Sequence, residues 1–404
     1  MSVRKRVWLS AKGPREAFVV DYSDGAGRRR LKTFSRKTDA NAFAANTRID
    51  IGEGVHVAER ASITIKTAAE LWLAEGSADH LERSTLAQYE QHARLHIVPF
   101  IGGEKLCKLT VPFILAFRDR LRTEGRSDAM VKGVIVSLSS LISAAQERGQ
   151  AAHNPVRELR RTRRGRGKSP TSKRHKRIGV DIPTTAEIKA LIGAASATWR
   201  PFLMTAAFTG LRASELRGLR WEDVDHLKNY ELHVRQRADR YSQIGPPKSE
   251  SGHRRVPLPR SVALELTRWK LQCPKKDGRH WLVFPNGGGN VEILGNIIKR
   301  GLIPAMIAAG MTKPEFDYFG RAKLDDAGKP ILQAKYTGLH TLRHFFASFC
   351  INRKADGGLE LPAKLVQERL GHATIAITLD TYSHLFPSGD DSSHDAAVDA
   401  LIGL

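Results

Sequence analysis

The chain has 404 residues, a length that suggests two to three domains at about 150 residues each. With 65 Lys+Arg against 42 Asp+Glu it carries a formal net charge of +23, which points to a polyanionic partner and away from small neutral metabolites. A hydrophobic content of 41% excludes global disorder. No window approaches about 18 uninterrupted apolar residues, and the stretch from Met1 to Phe18 holds charges where a signal peptide needs apolar residues, so neither a membrane span nor export is expected. Cys107, Cys273 and Cys350 lie far apart with no CxxC pair, leaving no disulfide framework or zinc knuckle. The expectation is a cytosolic protein with no metal and no cofactor.

In chain order, residues 7–34 come first, with short alternating runs at 7–9, 17–21 and 29–34 separated by Ser23, Asp24 and Gly25. That pattern predicts three strands. A helix follows from near Thr38, through Ala40, Phe43 and Ala44, to about Gly52. This piece is too small to bury much apolar area, and its Arg-rich strands suit a DNA reader. Residues 63–150 predict four helices with N-caps at Thr64, Ser84, Thr110 and Ser127, each ahead of an apolar stripe such as Val131, Val134, Ile135 and Leu138. From 160 to 177 run ten cations, Arg160, Arg161, Arg163, Arg164, Arg166, Lys168, Lys173, Arg174, Lys176 and Arg177, with no acid. Such a composition cannot bury a core and predicts an extended linker, either solvated or releasing counterions from DNA phosphates.

Beyond the linker, Thr184 and Glu187 form a capping box, and a helix over 200–208 stops at Gly210. Strand patterns at 230–235 and 254–258 put Lys248 on the turn between them, and helix returns over 340–352 and 362–384. Gly287, Gly288 and Gly289 lack the Lys-Ser/Thr of a P-loop, so nucleotide hydrolysis has little support.

Several residues at these punctuation points could do chemistry. Arg212 opens a helix right after Gly210, with Glu215 three residues on and on the same face. Alone, that pair reads as a surface or structural ion pair. His340 and Arg343 stand one helical turn apart, and a planar bidentate donor beside an imidazole suits the two non-bridging oxygens of a phosphodiester. Alone, the histidine reads as a satisfied helix-terminal group. Gly371 and His372 mark a helix end and reversal, and Tyr382 follows ten residues after His372, where a lone tyrosine usually belongs to the core. The joint order Arg212, Lys248, His340, Arg343, His372, Tyr382 makes coincidence improbable.

Through TGLRASEL, PPKSESGHRRVPLP, LHTLRH and LGHATIAITLDTYSHL, the segment from about 180 to 386 resembles the catalytic domain of the tyrosine recombinases, the phage integrase family. The helical stretch before it is similar to that family's core-type DNA-binding domain, and the N-terminal sheet is similar to the arm-type domain of integrases. The resemblance implies a multidomain α+β fold. Residues 1–57 would be an arm-type DNA-binding domain of sheet plus helix, 63–158 a helical core-type domain, 159–178 the basic linker and 179–387 a mainly helical catalytic domain with a small β-sheet. The tail 388–404, acidic and then apolar, would dock onto a neighbouring subunit.

The resemblance also implies roles. Arg212 and Arg343 would clamp the non-bridging oxygens, His340 and His372 would add hydrogen bonds, and Lys248 would protonate the departing 5′ oxygen. Tyr382 would attack, leaving a 3′-phosphotyrosyl link whose conserved bond energy makes ATP unnecessary, with positioned cations in place of a metal. Glu215 would orient Arg212 or the helices around it, while Arg217 and His384 look peripheral. The implied partners are double-stranded DNA at core and arm sites, a homotetramer on a Holliday junction, and DNA-bending and directionality proteins. The implied task, carried out at the bacterial nucleoid, is to integrate or excise phage or other mobile DNA. Two other readings remain: a type IB topoisomerase, which would need neither arm-like domain nor docking tail, and a non-catalytic DNA-binding relic, which should have lost one of the six residues. Residues 260–338 exceed a minimal version of the domain, and a loop insertion is expected there.

Overall fold

The computed structural model describes residues 1–10, 13–24, 27–52, 57–59, 61–159, 175–279, 281–317 and 320–386. Arg160, Arg161, Arg163, Arg164, Arg166, Lys168, Lys173 and Arg174 of the linker lie outside the described residues, as does the tail 388–404. The chain divides into two compact units, Met1–Thr171 and Ser172–Leu404.

In the first unit β1 (Ser2–Ser10), β2 (Gly13–Ser23) and β3 (Arg29–Phe34) form an antiparallel meander in that order. Side chains of β2 at period two, Val20 and Tyr22, turn inward onto Ala40 of α1 (Lys37–Gly52), with Phe18, Phe34 and Phe43 closing the small core. The helical part holds α2 (Ile65–Ala78), α3 (Arg83–His92, continued through a π turn at Ala93–Ile97 into Val98–Ile101), α4 (Val111–Thr123) and α5 (Asp128–Glu147). Thr64, Thr110 and Ser127 accept from the N–H groups of Thr67, Phe113 and Met130, as N-caps do. Ser84 does not cap α3. The Glu82 carbonyl already accepts from Thr85 and Leu86 at 2.7 and 3.1 Å, so the helix opens at Arg83 and Ser84 falls inside its first turn. Helix α5 is long and apolar enough to cross a bilayer by composition, but Val131, Val134, Leu138, Leu141 and Ile142 spend that apolarity on the core of this unit.

The second unit is built around α7 (Arg200–Thr209), preceded by α6 (Thr185–Ala194). Helix α7 is buried almost all round, as a helix inside a core must be, and its Thr205 and Thr209 hydroxyls donate to the carbonyls of Pro201 and Thr205. The short helix α8 (Ala213–Gly218) leads to the antiparallel sheet of β4 (Val224–Asp225), β5 (Glu231–Val234) and β8 (Arg254–Pro257), in the order β4-β5-β8. A two-stranded hairpin, β6 (Arg237–Ala238) with β7 (Ile244–Gly245), intervenes before Lys248, so that residue follows a hairpin rather than forming a simple turn.

Residues 260–338 are not a loop insertion. Helix α9 (Arg260–Gln272) and helix α10 (Leu294–Asn296, through a π turn at Ile297–Leu302, to Ile303–Ala308) drive Val262, Leu266, Trp269, Ile297, Leu302 and Met306 into the same core as α7. Removing them would open that core; between β9 (Thr312–Pro314) and β10 (Leu332–Ala334), Phe316 and Leu324 are exposed. The unit is completed by α11 (His340–Ile351), α12 (Ala363–Leu370) and α13 (Ile375–Tyr382).

Candidate active site

Two glycines in the left-handed conformation set the frame. Gly210, at φ +63°, ends α7, and a Cβ there would lie 2.2 Å from Cδ1 of Phe346 on α11. Gly371, also at φ +63°, ends α12 beneath the Arg254 guanidinium. The carbonyls of these reversals are the anchors of the predicted clamp. Arg343 donates to Gly210 O at 2.7 Å and to Leu370 O at 2.6 Å, while Arg212 donates to Gly371 O at 2.8 Å. Chain reversals distant in sequence thus hold both guanidinium groups in place.

Glu215 is the hub. It is 3% exposed, accepts from the Arg212 side chain and backbone at 2.8 Å each, and receives Arg254 on both oxygens at 3.1 and 2.8 Å. Burial alone would raise its carboxyl; the hydrogen bond from Arg254, and the charges of Arg254 and Arg212, outweigh that and hold it down to about 2. Of the surface or structural pair expected, the structure shows the structural kind, with the carboxylate buried and the Arg212 side chain 37% exposed. Arg343, by contrast, forms no ion pair among the described residues, and burial first, then the charge of Arg212, lowers it to about 9. Arg212 and Arg254 share one carboxylate and Arg343 has none, so the site carries uncompensated positive charge and suits an anion.

The histidines complete the wall. His372 bonds through Nδ1 to the Thr378 hydroxyl at 2.9 Å, and desolvation followed by Arg343 and Arg212 lowers it to about 4, leaving the ring neutral at pH 7. His340, at the start of α11, is lowered by desolvation and then by Arg343, Lys176 and Arg212. Tyr382 ends α13 at 2% exposure, and burial pushes its phenol up to about 12 against the pull of Arg343. Lys248 stands exposed on the loop between β7 and β8. Lys176, the linker's last lysine, is tied to this unit: its carbonyl lies 2.7 Å from His384 Nε2, and its charge reaches His340 and His344. Arg177 is tied to it as well, its backbone N–H donating to Asp181 at 3.0 Å.

Two residues of the site escaped the sequence reading. Arg254, with a side chain 6% exposed, also donates to Arg369 O at 2.9 Å and so links β8, Glu215 and the Gly371 reversal. His344 touches the Tyr382 hydroxyl through Nδ1 at 2.5 Å. Arg217, expected to be peripheral, is buried at 3% and braces the β6–β7 hairpin through Asp239 O and Ser242.

Comparisons with known proteins point to one family. The model of the phage integrase family matches residues 183–388, and that of the phage integrase N-terminal SAM-like domain matches 64–122. A XerC-like tyrosine recombinase of Caldanaerobacter subterraneus subsp. tengcongensis is 26% identical over 397 residues, covering 94% of each chain. The ICEBs1 integrase of Bacillus subtilis is 23% identical over 356 residues, covering 84% of each. Among solved structures, the Tn1549 transposon integrase in complex with a circular intermediate DNA superposes with a TM-score of 0.60 at 19% identity, covering 84% of this chain and all of that one. A lambda integrase tetramer bound to a Holliday junction gives a TM-score of 0.51 at 16% identity, covering 91% and 95%. These structures share the fold. The chain belongs to the phage integrase family and is a site-specific tyrosine recombinase.

Proposed function

We propose that Tyr382 attacks a backbone phosphate of duplex DNA, forming a 3′-phosphotyrosyl link and releasing a 5′ hydroxyl. Arg212 and Arg343 hold the non-bridging oxygens, His340 and His372 hydrogen-bond around them, Lys248 protonates the leaving 5′ oxygen, and Glu215 positions Arg212. The observation that carries this reading is the surplus of guanidinium over carboxylate around Arg343, beside a buried tyrosine whose ionisation the Arg343 charge favours. Fixed cations neutralise the transition state, and the phosphotyrosyl bond stores the energy for rejoining, so the reaction runs without metal or ATP.

The enzyme works as a homotetramer on two duplexes, through a Holliday junction, at core and arm sites. The linker cations follow the DNA phosphates, the tail docks onto a neighbouring subunit, and bending and directionality proteins set the outcome, all at the bacterial nucleoid. The domain division 1–57, 63–158, 159–178 and 179–387 serves these separate contacts. The test is to incubate the protein with a pool of nicked duplexes in EDTA without nucleotide and recover covalent adducts. Adducts with the native chain and none with Tyr382→Phe are expected; dependence on Mg²⁺ or ATP, or adducts in the Phe variant, would overturn the reading.

A further inference from the structure

Outside the six residues assigned above, the contact to the reacting oxygen belongs to His344. Its Nδ1 lies 2.5 Å from the Tyr382 hydroxyl, in a pocket where the histidine is 7% and the tyrosine 2% exposed. Burial makes the phenol harder to ionise than a phenol in water, so attack requires an acceptor for its proton. His344 is neutral at pH 7: burial first, then Lys176, His340, Arg343 and His372, lower it to about 3. A neutral ring with its proton on Nε2 offers Nδ1 as that acceptor. Arg343 and His344 are consecutive on α11, so one rigid turn carries both the guanidinium for the phosphate and the imidazole at the nucleophile. A seated phosphate offsets the charges of Arg343 and Lys176, and the imidazole gains basicity as the substrate binds.

We propose that His344 is the general base of strand cleavage, with Nδ1 taking the phenolic proton of Tyr382 as the phenol oxygen bonds to phosphorus. The bond from phosphorus to the 5′ oxygen breaks at the same time, and that oxygen takes a proton from Lys248. In rejoining, a 5′ hydroxyl attacks phosphorus and gives its proton to Lys248, the bond to Tyr382 breaks, and the phenol oxygen recovers the proton from His344. The inference rests on the reading of Tyr382 as nucleophile.

The experiment uses the full chain and a nicked duplex recovered from the adduct pool, and measures the rate of covalent adduct formation. His344→Gln keeps a polar side chain but is no base. Its adduct rate should fall about 10²-fold or more, the scale of general-base catalysis. Replacing Tyr382 by the more acidic 3,5-difluorotyrosine should restore most of that loss, because the ionised phenol needs no base. A His344→Gln rate within threefold of the native one, or above it, would assign the contact to parking the phenol and overturn the proposal, as would a loss that difluorotyrosine fails to restore in a variant that melts normally.

A second measurement needs no destabilising change. With His344 intact, the acid limb of the pH–rate profile should stay in place when Tyr382 becomes difluorotyrosine. An acid limb that moves down with the phenol's own pKa would refute base catalysis by His344. Failure of the nucleophile assignment looks different: adducts would persist in Tyr382→Phe.

Discussion

Glu215→Gln is the perturbation that reads the buried charge network most directly. The native carboxylate is held from its ordinary 4.5 down to about 2, and that difference is worth about 3 kcal/mol of stability. The substitution keeps the shape but removes the charge shared by Arg212 and Arg254, and it aims an amide N–H₂ at guanidinium donors. Breaking a buried pair from one side typically costs about 3–5 kcal/mol. For a unit of this size, about 2–4 °C per kcal/mol converts the lower figure to a fall in melting temperature of about 6–12 °C. The sign with pH follows from the depressed carboxyl: its contribution is complete above 4.5 and is lost as pH falls toward about 2. The native and Gln proteins should therefore melt far apart at pH 7 and draw together below pH 4, as followed by circular dichroism. Equal melting at pH 7, or a gap that stays constant on acidification, would refute this account of the network.

Arg343→Ala should lower adduct formation by about 10²- to 10³-fold, the usual cost of removing one transition-state donor. A methylphosphonate at the cleaved position, which lacks the charge Arg343 neutralises, should recover part of the activity; no recovery would deny the clamp. Gly210→Ala adds a Cβ 2.2 Å from the Phe346 ring at φ +63°, whereas Gly103→Ala meets nothing within 4 Å. The first should melt several degrees low and the second like the native protein. His372, lowered to about 4 from 6.5, is protonated more readily in the unfolded chain, so unfolding free energy should rise from pH 4 to 6.5. His372→Gln should flatten that rise in denaturant titrations.

Much of the architecture is legible locally. Thr64, Thr110, Ser127 and the Thr184–Glu187 box announce helix starts because a capping hydroxyl and the N–H it serves are three residues apart. Ser84 misled because the carbonyl that starts a helix leaves no mark on composition. Length alone suggests an insertion over 260–338, whereas Val262, Leu266 and Trp269 recur at helical spacing and mark a core helix. Chain order singles out Arg212, Arg343 and Tyr382, yet the carbonyl anchors of the two arginines come from residues 159 and 133 positions away, which no local pattern reveals. Arg254 could have been noticed: it lies two residues before the buried Val256 on β8 and so shares its inward face. His344 sits one turn beyond His340 on the same helix, and its partner thirty-eight residues downstream becomes visible only when α11 and α13 pack.

The central claim is that the phenol on the last residue of α13 becomes joined to DNA. Proteolysis of the isolated adduct, followed by mass spectrometry of the nucleotide-bearing peptide, tests it without intermediaries. The account predicts one modified peptide, with the nucleotide 3′-phosphate on the Tyr382 oxygen. A nucleotide attached to any other residue would contradict it.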